Sequence, residues 1–271
     1  MDKINQIDYN IFMKIGVFDS GLGGLVIAKA LIEALPQYDY VYFGDTKHLP
    51  YGEKTAGHIL KYTLDAMRFL INQDCRLIII ACNSATAVCL RYLQKRFCPK
   101  YAPDIKILGV IIPTVEEALT FNTEQIGVVA TPTTVRSDIY AVELKKIKDD
   151  LDVFSLATPT LVPAIEGGDF DLAEKEVIRY SQKLKHLPVL ILGCTHYPII
   201  KDLFHKHLPN TRIIAQTELM GKKLADYLIR HPEIESKLSQ NQSRQFFITK
   251  KTEGYLNVAR LIDSDIDLKL L

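Results

Sequence analysis

The stretch KIGVFDSGLGG, residues 14–24, decides the fold, because an apolar run leads directly into a glycine-rich turn. An unbroken apolar run is typical of a strand that is covered on both faces. The same kind of run recurs in YDYVYFGD, CRLIIIAC, IKILGVI, QIGVVAT, LDVFSLA and LPVLILGC. Between such runs, LVIAKALIEAL and HILKYTLDAMRFLINQ carry apolar residues at helical spacing. This alternation predicts an α/β fold of mainly parallel sheets flanked by helices.

The spacing of the predicted strands indicates an internal duplication. From Asp19 to Cys82 the distance is 63 residues, and it is again 63 residues from Thr131 to Cys194. Two pseudo-symmetric domains explain this equality, and chance periodicity in an α/β protein is the alternative. We predict a discontinuous first domain over residues 1–110 and 222–271, because the C-terminal run FFIT can rejoin the first sheet, and a second domain over 111–221.

The composition argues against nucleic acid and membrane partners. The 271-residue chain has 33 basic and 32 acidic residues, so it lacks the positive excess that would neutralise a phosphate backbone. Its longest apolar runs are too short to cross a bilayer. The first residues, MDKINQIDYNIFMK, are polar where a secretory signal needs an apolar core. We interpret them as a polar lead-in and predict a cytoplasmic protein.

The cysteine pattern favours free thiols. The chain has five cysteines, an odd number, and none forms a CxxC pair or a zinc-ligand pattern with histidines. A disulfide framework and a zinc site are therefore both disfavoured, and we predict no metal. Packing is the simplest role for Cys75, Cys89 and Cys98, since free cysteine is among the most buried residue types.

Two motifs place a cysteine where parallel sheets bind ligands. ACNSAT (residues 81–86) and GCTHYP (residues 193–198) each follow a predicted strand, and ligands bind at the carboxyl ends of such strands. A helix N-terminus there would lower the pKa of a thiol, although a buried inert thiol is the alternative for each cysteine. Cys82 and Cys194 are 112 residues apart, at equivalent positions of the two halves. We expect them to face each other across one cleft, which also receives the strand ends at Asp19, Asp45 and Thr131.

Opposed thiols suit inversion of a carbon centre. A thiolate on one face can remove a proton while a thiol on the other face supplies one, and the reverse reaction exchanges their roles. The residues therefore predict a racemase or an epimerase. Asp19, Glu166 and His196 are candidates to assist the two thiols. For Glu166, an exposed acid beside a Gly-Gly turn is the alternative.

Two loops near the predicted cleft have a functional and a simple interpretation. DSGLGG, residues 19–24, can present backbone N–H groups to an anion at a helix N-terminus, or it can be a plain tight turn. FGDTKHLPYGEKT, residues 43–55, can merely connect two elements. Its corner at Pro50, Tyr51 and Gly52 can instead aim backbone donors and a phenol inward.

Taken together, the motifs resemble those of the glutamate racemases. GVFDSGLGG, YFGDTKHLPYGEKT, ACNSAT, GVIIPTV, IGVVATPTTVRS and LGCTHYP stand in the order found in that family and span nearly the whole chain. The resemblance implies an isomerase that needs no cofactor and makes D-glutamate for bacterial peptidoglycan. It also implies two α/β domains with the active site in the cleft between them, glutamate as the substrate, and a homodimer.

The resemblance assigns roles to individual residues. It implies that Cys82 and Cys194 are the two acid/base residues, assisted by Asp19, Glu166 and His196. Ser84 stands where many relatives carry threonine, so the hydroxyl is kept. The implied substrate-binding residues are Asp19, Ser20, Pro50, Tyr51, Gly52, Asn83, Ser84, Thr131, Thr134, Thr195 and His196.

Two alternative functions remain. A related aspartate racemase also uses opposed cysteines, but it typically has an acidic residue where this chain has His196. A non-catalytic amino-acid-binding protein would keep both thiols buried and inert. Assays with both enantiomers of glutamate and aspartate distinguish an aspartate racemase from a glutamate racemase. Replacement of either cysteine distinguishes a binding protein from a racemase.

Overall fold

The computed structural model describes residues 13–251, 256, 259–260 and 266–271. The predicted polar lead-in lies outside these residues except for its last two, of which Lys14 begins the first strand. Strands and helices alternate along the chain, as the sequence predicts. No helix within the described residues is both long and apolar enough to cross a membrane.

The first sheet is parallel throughout and contains the earliest strands of the chain. Its spatial order is β10-β9-β2-β1-β3-β4. Each strand pairs with its neighbours in parallel. The strands are β1 (Lys14–Asp19), β2 (Tyr40–Gly44), β3 (Cys75–Ile80), β4 (Lys106–Gly109), β9 (Arg244–Ile248) and β10 (Leu268–Leu270).

The second sheet repeats the strand order of the first. It is also parallel and has the order β6-β5-β7-β8. Its strands are β5 (Gln125–Ala130), β6 (Asp152–Ala157), β7 (Val189–Gly193) and β8 (Arg212–Ile214). The order β6-β5-β7-β8 corresponds one to one with β2-β1-β3-β4. The predicted fold class of two pseudo-symmetric halves is therefore confirmed, and β3 and β7 are equivalent strands.

Helices connect the parallel strands, because each crossover must carry the chain back to the same edge of the sheet. Helix α2 shows how the sequence sets one of them: the Thr55 side chain accepts a hydrogen bond from the N–H group of His58 at its start, and Ile59, Thr63 and Leu70 line its buried face. The helices are α1 (Gly23–Ala34), α2 (Ala56–Asn72), α3 (Asn83–Tyr92), α4 (Cys98–Tyr101), α5 (Ile111–Ala118), α6 (Pro132–Arg136), α7 (Ile139–Lys145), α8 (Leu161–Glu166), α9 (Phe170–Leu184), α10 (Lys201–His207), α11 (Met220–Arg230) and α12 (Pro232–Glu235).

The core lies on both faces of the two sheets. Leu77, Ile78, Ile79 and Ile80 of β3 are completely buried, as expected for a strand with helices on either side. Helix α11 packs closely against α1: a Cβ on Gly221 would lie 2.5 Å from the Cβ of Ala34. This contact brings the start of the C-terminal segment back to the first sheet.

The predicted C-terminal strand rejoins the first sheet. Strand β9 contains FFI of the FFIT run and pairs with β2, with Gly44 beside Ile248. Two further strands, β8 and β10, have three residues each and were not predicted. The domain bounds at 110/111 and 221/222 stay a prediction. Because the strands of each sheet are parallel, their carboxyl ends share one edge, and the predicted site residues follow those ends.

Candidate active site

Cys82 follows β3 and caps helix α3. Its Sγ atom accepts the N–H group of Ala85 at 3.4 Å and lies 3.4 Å from the hydroxyl of Ser20. The residue is only 4% exposed. Burial raises the pKa of the Cys82 thiol, the nearby Asp19 carboxylate raises it further, and the contacts with Ser20 and Ala85 oppose both effects. Cys82 therefore retains its proton in these surroundings, despite its place at a helix N-terminus.

Cys194 follows the equivalent strand β7 but has different partners. Its Sγ atom lies 3.6 Å from Nδ1 of His196, whose Nε2 lies 2.5 Å from Oε1 of Glu166. Burial lowers the pKa of His196, but the hydrogen bonds to Cys194 and Glu166 outweigh burial and hold it well above its usual value. A protonated imidazole donates through both nitrogens, so His196 joins a thiol sulfur to a carboxylate.

Glu166 ends helix α8 and reaches across to the first-sheet side. Its Oε1 atom accepts the N–H group of Leu22 at 2.8 Å, and its side chain is 13% exposed. The alternative of an exposed acid beside a turn is therefore wrong. Gly21 permits this approach, since a Cβ there would overlap Oε1 of Glu166.

The Asp19 carboxylate is completely buried at the end of β1. Its Oδ2 atom accepts N–H groups from Gly21 and Gly24 at 2.9 and 3.0 Å, and Oδ1 accepts the Thr195 hydroxyl at 3.2 Å. Burial raises the pKa of Asp19 to about 6, although the charge of His196 and these hydrogen bonds lower it. The DSGLGG turn thus holds a carboxylate of its own, which makes it unsuited to bind an anion at that point.

Three hydroxyl groups, one after a strand of the first sheet and two after a strand of the second, form a cluster. The Oγ atom of Ser84 lies 2.8 Å from Oγ1 of Thr131 and 3.3 Å from Oγ1 of Thr134, which are themselves 3.1 Å apart. All three residues are buried. Each hydroxyl can rotate its proton, so the cluster can turn its donors toward an anionic group that enters between them.

The corner at residues 50–52 also meets the second-sheet side. The Gly52 carbonyl accepts the Thr133 hydroxyl at 2.8 Å, and a Cβ on Gly52 would lie 2.4 Å from the Cβ of Thr131. Tyr51 is 1% exposed and donates its hydroxyl proton to Asp45 at 2.6 Å. Pro50 follows a cis peptide bond and is partly buried, with no polar contact of its side chain.

Asn83 belongs to a polar network that the sequence did not predict. Its side chain pairs with that of Gln216 through two hydrogen bonds of 3.0 Å, and its Oδ1 accepts the Tyr140 hydroxyl at 2.7 Å. Gln216, which is completely buried, also donates to Thr114 at 3.3 Å. Neither Gln216 nor Tyr140 lies in a motif that marks a site, so only the three-dimensional structure identifies them.

The structure brings the predicted residues into one buried polar region. Asp19 accepts the hydroxyl of Thr195, the residue after Cys194, and the hydroxyl of Ser20 contacts the Cys82 sulfur. Cys75, Cys89 and Cys98 are buried free thiols as well. Cys75 packs against the backbone of β1, where a Cβ on Gly16 would lie 3.3 Å from its sulfur, and Cys89 contacts Thr63 at 3.6 Å. Of the five cysteines, all within the described residues, Cys82 and Cys194 are the two that combine a strand end with polar partners from the predicted site.

Known proteins share both the sequence and the fold. The profile of the family described as Asp/Glu/Hydantoin racemase matches residues 27–220. The glutamate racemase of Dinoroseobacter shibae is 38% identical over 239 residues, which cover 82% of this chain and 86% of the relative. A glutamate racemase isoform from Bacillus anthracis superposes with a TM-score of 0.85 at 29% identity, over 96% of this chain and 97% of that chain.

A second solved structure was determined with a bound ligand. The glutamate racemase of Francisella tularensis in complex with D-glutamate has a TM-score of 0.82 at 33% identity, over 96% of this chain and 98% of that chain. Both thiols at the equivalent strand ends lie inside the matched family region. The chain belongs to the Asp/Glu/hydantoin racemase family and, within it, to the glutamate racemases, which are amino-acid isomerases.

Proposed function

We propose that the protein interconverts L- and D-glutamate by a two-base mechanism in which Cys82 and Cys194 act on opposite faces of the α-carbon. The observation that carries the proposal is the equivalent placement of two buried thiols after β3 and β7 of two sheets with the same strand order. We infer that glutamate is the substrate from the relatives named above, and we propose that the D-glutamate product serves peptidoglycan synthesis.

The proposed reaction removes one proton from the α-carbon of glutamate and adds another proton to its opposite face. One cysteine, as the thiolate, takes the α-proton, and the electron pair left on the α-carbon delocalises into the substrate carboxylate. The opposite cysteine, as the thiol, then gives its proton to the other face of that carbon. Each positioned acid or base of this kind typically contributes about 10²- to 10⁴-fold to the rate.

The assisting residues differ between the two thiols. His196 lies between Cys194 and Glu166, so it can stabilise a negative charge on Cys194 while Glu166 balances its own charge. On the Cys82 side, Ser20 contacts the sulfur directly, and Asp19 acts on it through its charge. Because burial and the Asp19 carboxylate both raise the pKa of Cys82, we propose that the substrate ammonium beside Asp19 offsets that charge and eases loss of the thiol proton.

The polar groups of the cleft are proposed to bind the two substrate carboxylates. Ser84, Thr131 and Thr134 converge as hydroxyl donors, and Thr195 and Asn83 supply further polar groups. The backbone of the Tyr51–Gly52 corner closes the remaining side against Thr131. The thiols are only 4% and 5% exposed, so substrate enters an opened form of the site, and its closure excludes water from the carbanion.

Solvent deuterium provides the test. In D₂O, the wild-type protein should incorporate deuterium at the α-position of glutamate from either enantiomer, without added pyridoxal phosphate. Cys82→Ser and Cys194→Ser should each lose racemisation, while elimination from a substrate with a good β leaving group should survive in at least one of them because it needs only one face. Cys98→Ala, which removes a buried thiol outside the cleft, is the matched control and should racemise normally.

Other results would favour the alternative functions. Turnover of aspartate with inert glutamate would indicate an aspartate racemase. Binding of glutamate without deuterium incorporation would indicate a binding protein, and unchanged racemisation in either cysteine variant would refute the two-thiol mechanism. The cytoplasmic location, the homodimer and the independence from cofactors remain predictions.

A further inference from the structure

Asp45 lies at the centre of a polar cluster beneath the Tyr51–Gly52 corner. The residue is 3% exposed, and its carboxylate accepts hydrogen bonds from the Tyr51 hydroxyl at 2.6 Å, the Thr249 hydroxyl at 3.0 Å and Nδ1 of His48 at 2.9 Å. We call these four residues the Asp45 clamp. Bonds to an ionised acceptor are stronger than neutral ones, so the clamp holds the loop after β2 firmly.

Thr249 joins the clamp from the far end of the chain. It follows β9, and Gly44 pairs with Ile248, so the strand register places Thr249 beside Asp45. The N–H group of Thr249 donates to the Gly44 carbonyl at 3.1 Å, and its hydroxyl accepts the N–H group of Lys47 at 2.9 Å. One threonine side chain thus bonds both the carboxylate and the backbone of this loop.

A second pair of bonds repeats the connection one residue further on. The Thr46 hydroxyl donates to the Lys250 carbonyl at 2.6 Å and accepts the Lys250 N–H group at 2.8 Å. The loop that carries the substrate-facing corner is therefore fastened to the C-terminal segment. Thr249 and Lys250 lie outside residues 27–220, which the family profile covers.

The clamp also decides what the Tyr51 side chain can do. A tyrosine hydroxyl has one proton, and Tyr51 gives it to Asp45. Burial raises the pKa of Tyr51, and the Asp45 charge raises it further, so this proton stays in place. Tyr51 therefore has no proton to donate to the substrate.

His48 contacts the same carboxylate. Its Nδ1 lies 2.9 Å from both oxygens of Asp45, and its ring stacks on Tyr62 with centroids 3.9 Å apart. The stack fixes the plane of the imidazole, because Tyr62 lies on helix α2. The clamp is thus attached to β9 through Thr249 and to α2 through His48.

We infer that Thr249 and His48 are positioning residues for racemisation, because through Asp45 they fix the Tyr51–Gly52 corner against Thr131. Neither residue touches the proposed position of the substrate. The inference rests on the proposed function, since the corner is proposed to contact glutamate. It gives the segment that follows β9 a direct part in shaping the active site.

Thr249→Val tests the inference, because it keeps the shape and removes the hydroxyl. We expect the KM for both glutamate enantiomers to rise by about tenfold, with a smaller change in kcat, as one hydrogen bond to a charged group is lost. Thr249→Ser keeps the hydroxyl and should restore KM. Thr120→Val, which removes an exposed hydroxyl bonded only to Glu117, is the matched control and should leave KM unchanged.

His48→Phe gives a second route that leaves β9 intact. It keeps the stack on Tyr62 and removes the nitrogen donor, so KM should again rise. A double-mutant cycle of Thr249→Val with Tyr51→Phe should show less than additive effects, since both act through Asp45. A KM equal to that of the wild type in both Thr249→Val and His48→Phe would overturn the inference. An equal rise in KM in Thr249→Val and Thr249→Ser would overturn it as well. Failure of the wild-type protein to racemise glutamate would instead remove the proposed function itself.

Discussion

Asn83 and Gln216 join their side-chain amides through two hydrogen bonds of 3.0 Å, although 133 residues separate them in the chain. The pairing leaves no freedom in the orientation of the Asn83 amide, because Tyr140 donates to the same Oδ1 atom. One N–H of Asn83 remains free of Gln216. The proposed substrate-binding residue is therefore oriented by a buried glutamine at the start of the segment that returns to the first sheet.

Gln216→Leu should raise the KM for glutamate, since the Asn83 amide loses the partner that orients it. We also expect a loss of about 1–3 kcal/mol in the free energy of unfolding, because buried polar atoms are left unpaired. Steady-state kinetics and urea unfolding measure the two effects. Gln94→Leu removes another glutamine donor, bonded to the Ile107 carbonyl, and should lower stability without changing KM. Equal KM values in all three proteins would contradict the orienting role.

Asp19→Asn should stabilise the protein at neutral pH. Burial raises the pKa of Asp19 to about 6 from its usual 3.8, so the folded state favours the protonated carboxyl. The Asp19 carboxyl therefore contributes to the free energy of unfolding of the wild type below about pH 4, and this contribution is lost as the pH rises toward 6. The full shift corresponds to about 3 kcal/mol.

The measurement is the difference in unfolding free energy between Asp19→Asn and the wild type from pH 4 to pH 8. It should grow in favour of the variant up to about pH 6 and then level off. The variant should also lose racemisation, because the proposed partner of the substrate ammonium is gone. A difference that stays constant across this range would show that Asp19 does not carry the raised pKa.

Gly23→Ala should prevent close approach of the two sides of the cleft. The added Cβ would lie 2.5 Å from the backbone carbon of Thr195 and 2.6 Å from the backbone nitrogen of His196, which cannot move away as a flexible side chain would. We expect a strong fall in kcat/KM. Gly57→Ala is the control, because nothing lies within 4 Å of its Cβ, and alanine should stabilise helix α2 by up to about 1 kcal/mol. Normal activity in Gly23→Ala would contradict the closed arrangement.

Ser84→Ala and Ser84→Thr separate the hydroxyl from the rest of the side chain. Loss of the hydroxyl removes one of three donors in the cluster with Thr131 and Thr134, and KM should rise by about tenfold. Ser84→Thr keeps the hydroxyl and should stay close to the wild-type KM. The kinetics of both variants with L- and D-glutamate measure this. A lower KM in Ser84→Ala would show that the cluster does not bind the substrate.

The strands and the placement of the two thiols at strand ends were predictable from the sequence, whereas the part played by Gln216, Tyr140 and Thr249 was not. Strands β1 to β7 are marked by apolar runs bounded by turns, but β8 and β10 have three residues each, too few for a pattern. Cys82 and Cys194 can be identified in the sequence because they occupy equivalent positions of the two halves. Gln216 and Thr249 lie in no recognisable sequence motif. Gln216 meets Asn83, which is 133 positions away, and Thr249 meets Asp45, which is 204 positions away, because the C-terminal part of the chain folds back onto the first sheet.

The local sequence does not determine whether Glu166 is exposed or belongs to the site, whereas its packing in the structure does. Its Gly-Gly neighbours are equally typical of an exposed turn. In the structure, a carboxylate at the end of α8 meets both the His196 ring and the Leu22 backbone. That double contact depends on how the two sheets face each other, which no short motif encodes.

The matching strand orders of the two sheets have a stereochemical consequence. Duplicated halves of a chain of L-amino acids are related by rotation, whereas the two enantiomers of a substrate are related by reflection. Rotation cannot supply mirror-image surroundings, and the thiols accordingly have unlike neighbours: Ser20 and Ala85 beside Cys82, and His196 beside Cys194. Under the proposed two-base mechanism, each enantiomer therefore meets chemically different acid and base groups, while the equilibrium between them stays at one to one because glutamate itself sets it.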